Sequence, residues 1–393
     1  MKKIGVFTGN RAEFGLQVPM LQEIKASKKL DLELLVSASH LDKDYGETKK
    51  EILESGFKIN YSLDLKQVGT NVAVTPDTIG KGAIGVSKIL KKMKPDIFVV
   101  YADRYEGFAA VVASTQMGIP TIHIEGGDIT EGGAFDDSVR HAMTKLAHIH
   151  FTTNKEATTR IKSMGEESWR VHTVGLPSVD LIKKGKFTNK EELLARYKLT
   201  GIDNLIIFTQ HSVPIKNNLI QREFKEIEKA FSKLKNKNYK IICTYPNSDF
   251  GGKKIIPILK TWNKKYDFID LYPSLGREDF HGLLNLNNNS NINVAYVGNS
   301  SAGIKETPAL KCPSLILGDR QKGRLHSTNA IFVNLESEKI FKGIEKVLSK
   351  RFISVCKKCS NPYGSGNMGK KSTKIIENLK IDHKLIIKKF IDL

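Results

Sequence analysis

The chain has 393 residues, too many for one hydrophobic core and an ordinary length for two. A hydrophobic content of 40% with 26% charged residues is that of a globular protein, and no apolar run is long enough to span a bilayer. The formal charge of +20 raises nucleic acid as a partner. However, the lysines lie in small scattered clusters (91–94, 183–186, 253–254, 388–389), with no zinc finger, RRM consensus or basic helix carrying interleaved aromatics. A diffuse positive potential suits an anionic small substrate better. No nucleic-acid or membrane partner is expected.

From the N-terminus, MKKIGVFTGNRAE lacks the long apolar segment and small-residue cleavage site of a signal peptide, so it reads as a first β-strand and the location as cytoplasmic. Strands are predicted at 3–8, 32–37, 96–101, 119–125, 149–152 and 171–174, with helices at 16–26, 47–55, 79–93 and 106–116 between them. The polar, basic stretch 181–190 reads as a linker. Alternation then resumes with strands at 205–209, 240–244, 292–297 and 314–317 and helices at 219–235 and 253–265. Short elements surround 331–333 and 340–348, the Asn-rich run 285–293 reads as a turn, and two helices are predicted at 370–379 and 384–392. Repeated βα units predict an α/β protein of two Rossmann-like domains facing a cleft: 1–182, then 190–368, with 369–393 packing back across both.

Four cysteines fit a reducing compartment. Cys356 and Cys359 form one C-x-x-C, but Cys243 and Cys312 stand alone, so no four-ligand zinc set is expected.

The stretch from Thr121 to His148, TIHIEGGDITEGGAFDDSVRHAMTKLAH, organises the first half. A short apolar strand ends at Glu125, two Gly-Gly turns follow, and a helix begins at Asp136–Asp137 with Arg140 and His141 on its first turns. Ligands of open α/β sheets bind beyond the carboxyl ends of the strands. Glu125, Asp128, Glu131, Asp136 and Asp137 are therefore expected to crowd one site, with some pKa values raised into the range useful for proton transfer. Either aspartate taken singly serves equally well as a helix cap. Beside Glu125 and the paired glycines, the site reading is preferred.

Other strand ends carry weaker signals. Gly9-Asn10-Arg11 is a glycine turn with a permanent charge, without the G-x-G-x-x-G dinucleotide fingerprint. Asp103-Arg104-Tyr105-Glu106 follows an apolar strand, and is equally a helix cap with a local ion pair. Gly298-Asn299-Ser300-Ser301-Ala302-Gly303-Ile304 leaves backbone N–H groups open at a strand-to-helix turn and is the sharpest phosphate signal. Gly318-Asp319-Arg320-Gln321-Lys322-Gly323-Arg324 interleaves three cations with two glycines, which suits a diphosphate. His211 closes the first strand of the second half.

Together these residues resemble the UDP-N-acetylglucosamine 2-epimerases, and their hydrolysing branch in sialic-acid-type sugar biosynthesis in particular. The carrying segments are GNRAEFG (9–15), SHLDKDYGET (39–48), ADRYE (102–106), HIEGGDIT…DDSVRHAMTKLAH (123–148), TQH (209–211), PNSD (246–249), GNSSAGIKE (298–306), GDRQKGR (318–324) and SNPYGSGN (360–367). The resemblance covers nearly the whole chain in one order. It implies a glycosyltransferase-B type fold and conversion of UDP-GlcNAc to ManNAc plus UDP through a 2-acetamidoglucal. Asp103, Glu125 and Asp136 or Asp137 match the family's acid–base positions, and His211 matches a histidine near the leaving group or sugar. Arg11, Arg104, Asn247, Ser300, Ser301, Glu306 and Arg320 fall on its substrate contacts. The resemblance implies no metal or nicotinamide, a nucleotide sugar as the partner, and a homo-oligomer, dimer or tetramer. HIEGGD stands where non-hydrolysing relatives have an HVEAG-like run. The longer loop 126–135 lies where it would meet the sugar, so UDP- or GDP-linked N,N'-diacetylbacillosamine is a second candidate substrate, and a non-hydrolysing 2-epimerase a further alternative.

Overall fold

A computed structural model describes residues 1–41, 48–66, 73–129, 136–235, 237–246 and 251–392. Among these described residues, thirteen strands form two sheets in which every pairing is parallel. The first holds β1 (Lys2–Thr8), β2 (Leu30–Ser37), β3 (Tyr61–Leu63), β4 (Ile97–Tyr101), β5 (Thr121–Ile124), β6 (Ile149–Thr152) and β7 (Val171–Thr173), in the order β3-β2-β1-β4-β5-β6-β7. The second holds β8 (Asn204–Thr209), β9 (Tyr239–Thr244), β10 (Ile269–Tyr272), β11 (Asn293–Gly298), β12 (Ser314–Leu317) and β13 (Ala330–Val333), in the order β10-β9-β8-β11-β12-β13. Strands covered on both faces read as continuous apolar runs, which is why Ile97–Tyr101 and Leu205–Phe208 are buried throughout. Among the described residues no helix is long and apolar enough to cross a membrane.

Strand order reverses between β1 and β4 in the first sheet and between β8 and β11 in the second. At such a switch point the connections leave in opposite directions and open a crevice beyond the strand ends. Gly9 and Asp103 follow β1 and β4, with Glu125 one strand further. Gln210–His211 and Asn299–Ser301 follow β8 and β11.

The chain divides into two compact units after Asp180, and residues from Gly366 onward group with the first. The stretch read as a linker starts with the end of one helix and reaches the first residue of the next. Leu181 and Ile182 are buried in the helix Pro177–Lys183, and Ile182 joins a core cluster of the second unit. The Asn-rich run is a turn only in its second half. The helix Gly276–Asn289 takes in residues 285–289, because Leu283, Leu284 and Leu286 are buried in the core, and residues 290–292 link it to β11. Its asparagines are used there: Asn287 Oδ1 accepts from the Val294 N–H, and Asn288 Nδ2 donates to the Leu310 carbonyl. The last predicted helix is one short turn, His383–Ile386. Side chains from elsewhere hold the C-terminal segment around and beyond that turn. The fully buried Arg170 donates to the carbonyls of Lys384, Leu385 and Ile387. Lys388 pairs with the buried Glu166 at 2.8 Å.

The helix Met368–Asn378 is capped at both ends by residues far away in sequence. Asp180 accepts from the N–H groups of Asn367, Met368 and Gly369 at 2.7, 2.8 and 2.9 Å. At the other end Lys2 Nζ donates to the carbonyls of Ile376, Glu377 and Leu379. Each charge complements the helix dipole where it stands. Asp180→Ala leaves three donors, two of them buried, without an acceptor and is expected to cost about 2–3 kcal/mol. Urea titration of the variant beside the wild type measures it, and a loss under about 0.5 kcal/mol would mean that solvent replaces the cap.

The cysteines are all free and buried. Cys312 does not stand alone: burial first, and then the neighbouring Cys356, raise its pKa. Burial and Cys359 push Cys356 up to about 12. Such thiols stay protonated and unreactive. Among the described residues no group of three or more His, Cys, Asp or Glu side chains could hold a metal.

Candidate active site

An acidic cluster lies in the first unit. At the end of β4 the chain turns through Ala102 at φ 59°, and at the end of β5 through Glu125 at φ 65°. Two non-glycine residues in left-handed conformations on adjacent strand ends mark a place where the surroundings override local preference. Glu125 is buried, and its amide donates to the Phe151 carbonyl at 2.9 Å. Burial, and next the Glu125 carboxylate, keep the Tyr101 phenol protonated well above its ordinary range; Glu13 and Asp128 add to this.

The helix Asp136–Leu146 begins as expected, and its Arg140 is the hub of this cluster. Arg140 is 6% exposed. It donates to Asp103, to Asp137 Oδ1 at 2.9 Å and to the Asp128 carbonyl at 2.9 Å. One buried guanidinium thus joins a strand end to a helix. Of the carboxylates expected to crowd together, Asp137 shares the Arg140 cation with Asp103, from the neighbouring strand end. A carboxyl outside that set is driven upward. Burial, then Glu106, pushes Glu13 up to about 8, while Gly9 N–H donates to its Oε2 at 3.0 Å. Arg104 pairs locally with the buried Glu106 at 2.8 Å. Arg11 opens the helix Arg11–Ala26. The side chains of Arg11 and Asp136, like Glu131 and Asn247 as whole residues, lie outside the described residues.

A separate cluster of polar residues lies in the other unit. Gly298 ends β11 at φ 139°, and a Cβ there would stand 2.0 Å from the Thr209 carbonyl, so only glycine lets β11 and β8 end together. The next residue, Asn299, is buried and clasps the backbone of His211. Its Oδ1 accepts from His211 N–H at 2.7 Å, and its Nδ2 donates to the His211 carbonyl at 2.9 Å. Arg320 Nη1 and Gln321 Nε2 donate to the Asn299 carbonyl at 3.1 and 2.9 Å, joining the GDRQ turn to the GNSS turn. Ser300 N–H donates to the Tyr296 hydroxyl, which donates to the Thr209 carbonyl. Burial, and secondarily Arg320, lower the His211 pKa to about 3, so the ring is neutral near pH 7.

The helix expected after the GNSS turn is a single turn, Ala302–Lys305, with Ser301 at its N-cap and no side-chain cap bond. So short a helix carries little dipole, and what this stretch offers an anion is hydroxyls and turn amides. Glu306 follows, and His281 Nε2 lies 2.7 Å from its Oε2. A pocket of about 360 Å³ in this unit is lined by Gln210, Lys216, Asn299, Arg320 and Asn334 among others. Arg140, Asn299, Gln321, His281 and Glu13 were not assigned roles from sequence. The i, i+3 spacing of Asp137 and Arg140 was the available signal for one of them.

The sequence profile of the family described as UDP-N-acetylglucosamine 2-epimerase matches residues 22–379. A Campylobacter jejuni protein named GDP/UDP-N,N'-diacetylbacillosamine 2-epimerase (hydrolyzing) is 32% identical over 352 residues, 89% of this chain and 88% of its own. A UDP-N-acetylglucosamine 2-epimerase of Neisseria meningitidis is 32% identical over 350 residues, with the same two coverages. The crystal structure of a UDP-GlcNAc 2-epimerase from Neisseria meningitidis bound to UDP-GlcNAc superimposes with a TM-score of 0.71 at 20% identity, over 96% of this chain and 99% of that one. That likeness extends to the whole fold, two Rossmann-like units of the glycosyltransferase-B type.

Proposed function

Because the chain belongs to the UDP-N-acetylglucosamine 2-epimerase family, we propose that it is a hydrolysing member, releasing a free 2-epimerised sugar and UDP from UDP-N-acetylglucosamine. The observation that carries this reading is the buried Arg140 joining Asp103 to Asp137, with Glu125 at the next strand end.

The chemistry needs such a set. The C2–H of the sugar becomes removable only as the C1–O bond to the diphosphate breaks and positive charge grows at C1. A carboxylate takes that proton, the electron pair forms the C1–C2 double bond of a 2-acetamidoglucal, and UDP leaves with the C1–O electrons. Water then adds its oxygen to C1, giving its surplus proton to a carboxylate base, while an acid delivers a proton to the opposite face of C2. The reaction calls for a base and an acid held apart, and for donors to meet the departing diphosphate. Glu125, Asp103 and one of Asp136 and Asp137 are assigned to proton traffic, and Ser300, Ser301, Arg320 and Arg11 to the nucleotide diphosphate. Neutral His211 is assigned to the sugar or the leaving oxygen, and Arg104, Asn247 and Glu306 to substrate binding.

A second substrate, UDP- or GDP-linked N,N'-diacetylbacillosamine, is favoured by the equal identity to the Campylobacter protein. Offering the protein all three donors in D2O and following diphosphate release tests both. Release of UDP from UDP-GlcNAc, with one solvent deuterium at C2 of the free sugar, is the expected result. Turnover of a bacillosamine donor in place of UDP-GlcNAc would replace the substrate and keep the chemistry. A product without deuterium would sink the elimination route, and a nucleotide-linked product would sink the hydrolysing one.

A further inference from the structure

His123 stands in β5 between two groups from different parts of the acidic cluster. Its Nε2 lies 2.6 Å from the Ala102 carbonyl oxygen, and its Nδ1 lies 3.1 Å from the Thr144 hydroxyl. A carbonyl can only accept, so Nε2 carries the proton, and in the neutral ring Nδ1 accepts from Thr144. His123 and Thr144 are both fully buried, and burial lowers the His123 pKa to about 4, which keeps the ring in this one tautomer near neutral pH. Ala102 is the left-handed residue that turns β4 into Asp103. Thr144 lies on the helix that carries Asp137 and Arg140. The packing is tight: a Cβ on Gly126 would come within 2.8 Å of the Thr144 hydroxyl and 2.9 Å of His123 Nδ1.

We propose that His123 is a positioning residue, and that the Ala102–His123–Thr144 relay fixes Asp103 relative to the Arg140–Asp137 pair. Asp103 is held from two sides: its backbone through Ala102, and its carboxylate through Arg140. The relay ties the elements behind those two holds together, so the distance between them is set by one imidazole. Its role in turnover rests on the epimerase reading of this site, where a displacement near 1 Å at an acid–base group is worth up to about a hundredfold in rate.

Thr144→Val removes the hydroxyl and keeps the volume. It is expected to lower kcat on the nucleotide sugar at least tenfold, with KM and UDP affinity within twofold of wild type, and Thr144→Ser is expected to restore kcat. Gly126→Ala pushes on both relay partners without removing either group, and should give the same kcat-selective loss if Thr144→Val fails to fold. Combined with Asp103→Asn, Thr144→Val should cost nothing further, since both act through the same carboxylate. A wild-type kcat in folded Thr144→Val, a loss not rescued by serine, or an additive double variant overturns the proposal. The amide resonance of Asp103 in 15N-aspartate-labelled protein reads the relay without any substrate. It should move in Thr144→Val while that of Asp180 stays, and an unmoved Asp103 signal overturns the relay. If the wild type turns over none of the donors, the functional reading fails, and this resonance still decides the relay.

Discussion

Glu125→Gln is expected to lose at least about a hundredfold in turnover while the protein stays folded, and Asp103→Asn to lose a comparable factor. The two substitutions keep shape and hydrogen-bonding capacity but remove the ability to take or hold a proton. Glu125 already sits at φ 65°, so glutamine there adds no backbone strain that glutamate does not have. For Asp103, the buried Arg140 keeps an oxygen to donate to in the asparagine variant, so the fold loses little. Kinetics with UDP affinity measured in parallel separates the cases. Intact UDP binding with collapsed kcat places both groups in proton transfer. Near-normal kcat in either variant would mean that the carboxylate only caps its turn, where about 1 kcal/mol of stability is the usual stake.

The second large effect is acid lability. Burial lowers the pKa of His40, His123, His148 and His150 to about 4 and that of His211 to about 3, against an ordinary 6.5. A folded-state pKa below the unfolded one means the unfolded chain takes up protons first. The stability these groups allow is therefore present above pH 6.5 and is lost as pH falls toward 4. Glu166 extends the trend in the same direction. Burial raises its pKa, but the bonds from His150, Lys145 and Lys388 outweigh that and bring it down to about 2, so its share is lost between about 4.5 and 2. Glu13 has the opposite sign: its carboxyl, raised to about 8, favours the fold most at low pH and loses that contribution as pH rises through about 8. A tenfold difference in proton affinity between folded and unfolded chains is worth about 1.4 kcal/mol. Several buried histidines together therefore rival the roughly 5–15 kcal/mol that typically separates the two states. The urea midpoint should fall steeply between about pH 7 and pH 4.5, the window in which the unfolded rings take up protons. A flat midpoint over that range would show that these rings gain protons without unfolding.

Much of the site's location was legible because strand ends are. An apolar run such as Ile97–Tyr101 announces a central parallel strand, and the polar residues just beyond it, Asp103 here and His211 after β8, must then lie at the carboxyl edge. What no local pattern carried was who meets whom. Asp103 and Arg140 are 37 residues apart, and His211 and Asn299 are 88 apart, so each pairing exists only once the sheets have formed. The same reason hid Glu13, which reads as an ordinary first-turn acid until burial beside Glu106 changes its chemistry. The missed strands β3 and β10 are edge strands of three and four residues, with too few buried positions to show a period. Where Asn285–Asn289 misled, polar composition suggested a turn, but the side chains had specific acceptors and donors in the second unit.

The capping of the helix Met368–Asn378 by Asp180 and Lys2 bears on the order in which the protein can be made. The second unit is built from a nearly continuous stretch, whereas the first needs its N-terminal residues, the segment before Asp180, and everything after Gly366. A ribosome delivers a chain from its N-terminal side onward, so all of 181–365 has emerged before the helix that Asp180 and Lys2 await. The unit begun first is the one completed last. Until then the β1 side of its core lacks Met368, Ile376 and Leu385. That apolar gap is a surface for a chaperone to cover during synthesis.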